Sequence, residues 1–373
     1  MVTVSKIYDV IVVGAGPSGI GVAALLQQMN CPSYLILEKE EVGASFLRWP
    51  KEMRFITPSF PAQGFGQTDL NAVVPKSSPA YTLDMEHPTG EAYAEYLDVV
   101  ADHFTLPIEK GVKVNQIHKK DDTFSIDTTQ GSYQSHYVIW AAGQYQYPDL
   151  KPFPGAELGV HNSLIPSWQE LEGDDFIIIG GYESGMDAAF HLGRLGKRTT
   201  VIAKTNTWEL DNSDPSIALS TYTYGRIRHL FDSDLLRVVG NTAVTRIEAV
   251  SSGYDVYTSS GKVYFTTERP ILATGFSGST TTIENLVTRG KHDEVLVNDT
   301  DEAVATTGLF LAGPELRHDD HIFCYIYKFR QRFAVIAETI GYQLNLDLSI
   351  LEEYKRENFY LKDLSMCGER CQC

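Results

Sequence analysis

Cysteine is scarce in this 373-residue chain, basic charge is in the minority, and long apolar runs are missing. Each shortage excludes something. Five cysteines, with Cys31 and Cys324 standing alone, fit a reducing compartment rather than a disulfide-stapled scaffold. Lys and Arg number 31 against 48 Asp and Glu, and the net charge of −17 argues against nucleic acid or an anionic membrane as partner. No stretch approaches the roughly 18 uninterrupted apolar residues that a membrane span needs. Residues 7–26 are apolar and small, but Asp9 and the absence of a cleavage pattern separate them from a signal peptide. The expectation is a cytoplasmic chain with neither nucleic-acid nor membrane partner. Its length allows two or three domains, and 43% hydrophobic with 21% charged residues is ordinary globular composition.

What is present starts with V-I-V-V-G-A-G-P-S-G, Val10 to Gly19. A strand-like run enters Gly14, Gly16 and Gly19, and a helical stretch follows. Gly14 suits the tight turn, Gly16 lets backbone approach a pyrophosphate, and Gly19 with Ala23 lets the helix lie close on the sheet. The helix N-terminus offers unpaired N–H groups to the anion. Glu38 ends the next apolar run, L-I-L-E, where a carboxylate can accept hydrogen bonds from an adenosine ribose.

Residues 43–61 are too rich in proline and aromatics for a regular element and too apolar for a solvated loop, so they are expected to wrap something. Thr89 is placed to cap a helix running to Phe104. Short strands are expected near Val112–Ile117, Thr123–Thr128 and Ser132–Trp140, the last entering A-A-G. Pro148, Pro152 and Pro154 mark a domain crossing. Further strands are expected at Val244–Val250, Tyr254–Thr258, Val263–Thr267 and Ile271–Phe276, and a long amphipathic helix over Asp320–Ile340.

The opening grammar recurs. A shift of 166 positions lays Gly14 on Gly180, Gly19 on Gly185 and Ala23 on Ala189, while Gly16 falls on Tyr182. A tyrosine there is expected to push a ligand outward, because only glycine allows the closest backbone approach. The same shift lays Glu38 on Lys204, with Arg198 and Trp208 nearby. An acid suits a free 2′-hydroxyl and a base suits a 2′-phosphate, so two different nucleotides are expected, the second being NADPH.

Two such motifs, with A-A-G and A-T-G-F strand ends and a late L-F-L-A-G, resemble the two-dinucleotide-binding flavoproteins, and within them the flavin-containing monooxygenase group. The resemblance implies an α/β fold of two Rossmann-like FAD/NAD(P)-binding domains, the NADP domain inserted in the FAD domain. The expected boundaries are 1–150 and 273–345 for the FAD domain, 151–272 for the NAD(P) domain and 346–373 for a tail. It implies FAD and NADPH bound through Gly14, Gly16, Pro17, Ser18, Gly19, Glu38, Lys39, Ser45, Trp49, Ala142, Gly143, Gly180, Gly181, Glu183, Ser184, Gly185, Lys204, Thr274, Gly275 and Gly313. The group's linker fingerprint is matched loosely by Phe153, Gly155 and His161, the histidine arriving two residues late and Ile165 replacing an aromatic. Gly313–Pro314–Glu315 stands where relatives have a Gly-Asp whose acid meets the ribityl chain.

The implied reaction is oxygenation of a soft nitrogen or sulfur nucleophile with O2 and NADPH, through a flavin hydroperoxide. The flavin then carries the chemistry, with Phe46, Trp49, Phe55 and Phe60 as a candidate wall and Thr57, Ser59 and Cys324 as candidate neighbours of the ring. The alternative resemblance is to bacillithiol disulfide reductases, which carry a cysteine where this chain has Ser18. No C-x-x-C or C-x-x-x-x-C lies in the flavin domain. A redox flavoprotein with little turnover is a third reading. Cys367, Cys371 and Cys373 crowd the last seven residues, as a redox arm for a disulfide partner, a soft-metal clamp without a fourth ligand, or incidental thiols.

Overall fold

The first strand is built from consecutive apolar residues, the signature of a strand buried on both faces of a parallel sheet. In the computed structural model, which describes residues 6–61, 68–80, 85–212 and 214–365, β1 (Ile7–Val13) runs at the centre of such a sheet. Proline in the first turn and a buried apolar face start α1 (Pro17–Gln28) directly after the glycine turn. β2 (Tyr34–Leu37) then lies parallel to β1, with Val10 opposite Tyr34 and Val13 opposite Leu37. A single helical turn, α2 (Ala44–Leu47), precedes α3 (Gly90–His103), whose cap is Thr89 accepting from the Ala92 N–H at 3.0 Å. β3 (Ile108–Glu109), β4 (Val114–Lys120), β5 (Thr123–Thr128) and β6 (Gly131–Trp140) complete this stretch. The strand order is β3-β2-β1-β6-β5-β4, parallel around β1 and antiparallel from β6 to β4.

The second unit repeats the plan. β7 (Val160–His161), β8 (Asp175–Ile179), α4 (Glu183–Arg194), β9 (Arg198–Ile202), α5 (Thr221–Ile227) and β10 (Leu236–Val239) are followed by β11 (Val244–Val250), β12 (Gly253–Thr258), β13 (Val263–Thr266) and β14 (Ile271–Leu272). A parallel sheet in the order β10-β9-β8-β14-β7 carries the nucleotide-type turn, and β11-β12-β13 form a separate antiparallel meander. Its core gathers Trp168, Phe176, Ile178, Met186, Leu192 and Val201. Each fully buried aliphatic side chain contributes about 1.5–3 kcal/mol through water removal.

The chain then returns to the first sheet. β15 (Leu309–Leu311) pairs parallel with β6, and the hairpin β16 (Arg317–His318) and β17 (His321–Ile322) turns at Asp319, whose φ is +50°. α6 (Ile326–Phe329), α7 (Phe333–Leu344) and α8 (Leu351–Arg356) finish the described chain. One compact unit thus comprises the described residues up to Leu47, Thr57–Gln146 and those from Gly278 onward; the other comprises Arg48–Ile56 and Tyr147–Ser277. The second unit is therefore inserted in the first, as an α/β fold of two Rossmann-like halves requires.

Two expectations need correction. The helix expected over Asp320–Ile340 begins later, because residues 321–322 are claimed by the hairpin, and Arg330–Arg332 form a 3-10 turn between α6 and α7. That turn aims two buried arginines at different partners. Arg330 donates to the carbonyls of Ala72 at 2.8 Å, Thr68 at 3.3 Å and Asp69, while Arg332 binds the Asp301 carboxylate at 2.7 and 2.9 Å and the Leu361 carbonyl at 2.6 Å. Second, residues 48–56, placed by chain order with the FAD domain, pack with the inserted unit. The Lys51 N–H donates to Pro166 O at 2.9 Å, and the Glu52 carboxylate accepts from Ser167 Oγ at 2.5 Å and the Trp168 N–H at 3.1 Å. Cys367, Cys371 and Cys373 lie outside the described residues. Among the described residues no helix is long and apolar enough to cross a membrane.

Candidate functional site

The two glycine turns are the same object built twice. Gly14 N–H donates to Leu37 O and Gly180 N–H to Ile202 O, both at 2.9 Å, which locks each turn to the end of its neighbouring strand. Both glycines have positive φ, +105° and +113°. A Cβ at Gly14 would stand 2.6 Å from Ala141 O, and one at Gly180 would stand 2.2 Å from Ala273 O. Gly19 and Gly185 lie so close beneath the turn that a Cβ would meet Gly14 O at 1.8 Å and Gly180 O at 1.9 Å. The expected alignment at 166 residues therefore holds in hydrogen bonding and in steric contact. A-A-G and A-T-G are the strand ends against which each turn packs.

The halves differ at the residue that caps each helix. Gly16 has φ −85°, and a Cβ built on it would meet nothing within 4 Å, so the mouth of the first turn is open to a close-lying anion. Pro17 follows at the first helical position, and Ser18 is buried with its Oγ 2.7 Å from where a Gly313 Cβ would be. Glu38 is buried at the end of β2 and accepts from the N–H groups of Ala15 and Glu40, each at 2.7 Å. Burial raises its pKa above the ordinary carboxylate value, against the opposing pull of those two N–H groups. The carboxylate is thus held at the carboxyl edge of the sheet, beside the turn. Lys39 pairs with Glu40 at 3.5 Å, and Gln146 donates to Ser45 at 3.3 Å. Ala142 and Gly143 are half-buried at the end of β6, where a Cβ on Gly143 would also meet open space.

In the second half Tyr182 caps α4 with φ −108°, so its backbone is unstrained, and its hydroxyl donates to Pro215 O. Glu183 starts the helix, and its carboxylate accepts from Ser220 N–H at 2.5 Å, Ser220 Oγ at 3.1 Å and Thr223 Oγ1 at 2.6 Å. Burial raises this carboxyl's pKa, opposed by the hydrogen bonds from Thr223 and Ser220. Ser184 is half-buried beside it. Gly181 faces Trp208, whose ring would be 2.9 Å from a Cβ, and its carbonyl accepts from Thr207 Oγ1 at 2.7 Å. Lys204 is exposed just past the end of β9. Arg198 is not its neighbour. It opens β9, about 13 Å by strand rise before that strand's end, and pairs with Asp175 at 3.3 Å, at the edge opposite the turn.

His161 holds the end of β14 in place. Its Nδ1 accepts from the Ser163 N–H at 3.2 Å, which leaves Nε2–H to donate to Gly275 O at 3.0 Å. Thr274 Oγ1 anchors the same turn to Asp149 O at 3.0 Å. Burial lowers the His161 pKa, with the Gly275 contact opposing. A histidine held neutral adds stability that is complete above its unfolded value, about 6.5, and is lost as pH falls below it. The thermal stability of the wild type is therefore expected to fall between pH 7.5 and pH 5 by more than that of His161→Gln, as followed by scanning calorimetry.

The ring-side expectations are redistributed. Phe46 packs edge-on against Tyr93 at 4.8 Å in the first unit, whereas Trp49 packs on Phe55 at 5.0 Å in the second, and Phe60 is exposed. The four aromatics do not form one wall within either unit. Ser59 is buried in a network that sequence reasoning missed: Asn71 Nδ2 donates to Ser59 Oγ and Thr57 O, both at 2.8 Å, and Asp69 accepts from Ser78 at 2.6 Å. Glu315 does not stand free for a ribityl chain either. Its carboxylate accepts from Ser279 N–H at 3.0 Å, Thr280 Oγ1 at 2.9 Å and Ser279 Oγ, and Trp140 Nε1 donates to Ser279 at 2.9 Å. Cys324 is half-buried, and burial pushes the Cys31 thiol up to about 11. Among the described residues no cluster of His, Cys, Asp and Glu suits a metal ion.

Residues 11–313 match the pyridine nucleotide-disulphide oxidoreductase family. The chain is 26% identical over 199 residues to the bacilliredoxin reductase Bdr of Bacillus subtilis (strain 168), covering 53% of this chain and 57% of that one. It is 26% identical over 208 residues to the probable indole-3-pyruvate monooxygenase YUCCA10 of Arabidopsis thaliana, covering 52% of each. The chain spans about half the length of the curated relatives it matches. Among solved structures, the bacillithiol disulfide reductase Bdr (YpdA) from Staphylococcus aureus superposes with a TM-score of 0.73 at 19% identity, over 91% of this chain and 99% of that one. With the duplicated glycine turn and the match from strand β1 to Gly313, the chain belongs to the pyridine nucleotide-disulphide oxidoreductase family, oxidoreductases that bind FAD and NADP(H).

Proposed function

We propose that the chain is an NADPH-dependent flavin monooxygenase acting on a soft nitrogen or sulfur nucleophile. The observation that supports this over a disulfide reductase is Ser18. It is buried at the first glycine turn, where the reductases that the chain resembles carry a cysteine. Cys31, the thiol just past α1, is buried and held protonated, so it is a poor nucleophile. In this reading the open cradle at Gly16 and Gly143 takes the FAD pyrophosphate, with Glu38 holding the adenosine ribose. Lys204 takes the 2′-phosphate of NADPH beside the second turn. Bound FAD supplies the hydride and oxygen chemistry. The residues of the chain bind the two nucleotides, hold their turns in register and keep His161 as a neutral hydrogen-bond donor to Gly275. The substrate is then oxygenated with one oxygen atom of O2, the other leaving as water.

The test is stoichiometry. NADPH consumption is compared with peroxide release and product oxygenation, with and without thioethers, amines and small disulfides. A monooxygenase couples NADPH to oxygenated thioether or amine. Anaerobic NADPH oxidation supported by a low-molecular-weight disulfide would instead favour the second reading, a bacillithiol-type reductase. That reading is supported by the fold likeness to the Staphylococcus aureus enzyme and by the three terminal cysteines. NADPH preference has its own check. Lys204→Ala is expected to weaken NADP+ binding about tenfold, the value of one charge-assisted contact, while NAD+ binding is unchanged. Equilibrium titration of both coenzymes measures this.

A further inference from the structure

We infer that residues 207–212 and 214–223 form a strap latched over the second glycine turn, and that NADPH enters only after the strap lets go. This rests on the assignment of that turn to the nicotinamide coenzyme. Three groups of the turn and its helix are engaged by the strap. The Gly181 carbonyl accepts from Thr207, the Tyr182 hydroxyl donates to Pro215, and the Glu183 carboxylate accepts from Ser220 and Thr223. The strap is also tied to itself, because Leu219 N–H donates to Thr207 O at 3.0 Å. The Trp208 ring lies against Gly181, so close that any side chain there would strike it.

The first turn shows what an unlatched version looks like. There the loop after β2 also reaches the turn's carbonyl, Gly43 N–H donating to Ala15 O at 3.0 Å, matching Thr207 on Gly181. Beyond that bond Gly16 opens onto nothing within 4 Å. At the corresponding place in the second half stands Tyr182, its phenol reaching over to Pro215. A pyrophosphate approaching the N-terminus of α4 as one would approach α1 must pass this side chain and the Glu183 clasp. Both must shift for the anion to reach the helix N–H groups. The clasp is made of hydrogen bonds to a carboxylate, the stronger kind, so it sets a barrier while remaining reversible. Binding then follows a conformational step, and the affinity is reduced by the fraction of molecules that are closed.

The experiment is stopped-flow tryptophan fluorescence of the full-length flavoprotein mixed with NADP+, with wild type, Thr223→Val and Tyr182→Phe compared. The expected wild-type observed rate rises with NADP+ and then saturates at the opening rate. Thr223→Val removes one clasp bond while keeping the side chain's shape, and Tyr182→Phe removes the latch to Pro215. Each is expected to raise the plateau about tenfold. NADP+ binding by the variants but not by wild type would support a tighter latch of the same kind. Rates linear in NADP+ and equal in all three proteins would overturn the strap while leaving the coenzyme assignment standing. Absence of NADP+ binding in all three, by equilibrium titration, would overturn the coenzyme assignment and the strap with it.

Discussion

Gly16→Val is expected to give a protein that unfolds like the wild type but purifies without flavin, whereas Gly19→Val is expected to lose stability as well. The two glycines sit three residues apart in one motif and fail differently for a geometric reason. A Cβ at Gly16 points into open space, and its extended backbone suits any residue, so the approaching pyrophosphate is what a side chain there is expected to obstruct. A side chain at Gly19 would lie 1.8 Å from the Gly14 carbonyl, and the neighbour is backbone that cannot swing aside. Separating α1 from the turn to relieve that clash is expected to cost about 3 kcal/mol, at the upper end of overpacking penalties. Visible flavin absorbance per mole of protein reads the first effect, and urea unfolding reads the second. Wild-type flavin content in Gly16→Val would remove this turn from the FAD site.

The second large effect is expected at Arg332. Its guanidinium is 1% exposed and Asp301 is fully buried, with Nε and the terminal nitrogens spread over both carboxylate oxygens and the Asp299 and Leu361 carbonyls. His318 adds a contact to the same carboxylate at 2.6 Å, so the β16–β17 hairpin hangs on it too. Arg332→Met leaves a buried carboxylate with its main partner gone, and about 3–5 kcal/mol of stability is expected to disappear. Adding Asp301→Asn removes the stranded charge, and asparagine tolerates the φ of +64° at that position. The double variant is therefore expected to recover part of the loss. A double-mutant cycle by urea unfolding measures the coupling, and purely additive losses would count against a paired buried charge.

What could be read in advance, and what could not, divides along the range of the interactions. The glycine turns were legible because their determinants lie within a few residues. The contacts of Gly14 with Gly19 are dictated by backbone sterics, and so the 166-residue repeat carried over into matching hydrogen bonds in both halves. Strands Thr123–Thr128 and Val244–Val250 appeared where alternation placed them. The Thr89 cap did as well. The failures involve distant partners. Residues 48–56 belong to the inserted unit because Glu52 finds Ser167 and Trp168 more than a hundred positions away. The late helix is broken because Arg330 and Arg332 answer to carbonyls near residues 68–72 and 361. The clasp of Glu183 to Ser220 and Thr223 has only a faint local sign, a serine just before a helical run.

The inserted unit also bears on how the chain closes its first sheet. It enters and leaves through neighbours: Asp149 N–H donates to Gly275 O at 3.0 Å, Ser277 N–H donates to Tyr147 O at 2.8 Å, and Pro148 bridges Phe276. Once these are made, the ends of a long insertion sit only about 5 Å apart, like the base of a hairpin. The last sheet strand, β15, must find β6 across that insertion. If the insertion were still unfolded, joining them would carry a loop-closure entropy of about 4 kcal/mol, which a folded insertion has already absorbed. With the insertion folded, β15 meets β6 as though its connection were short.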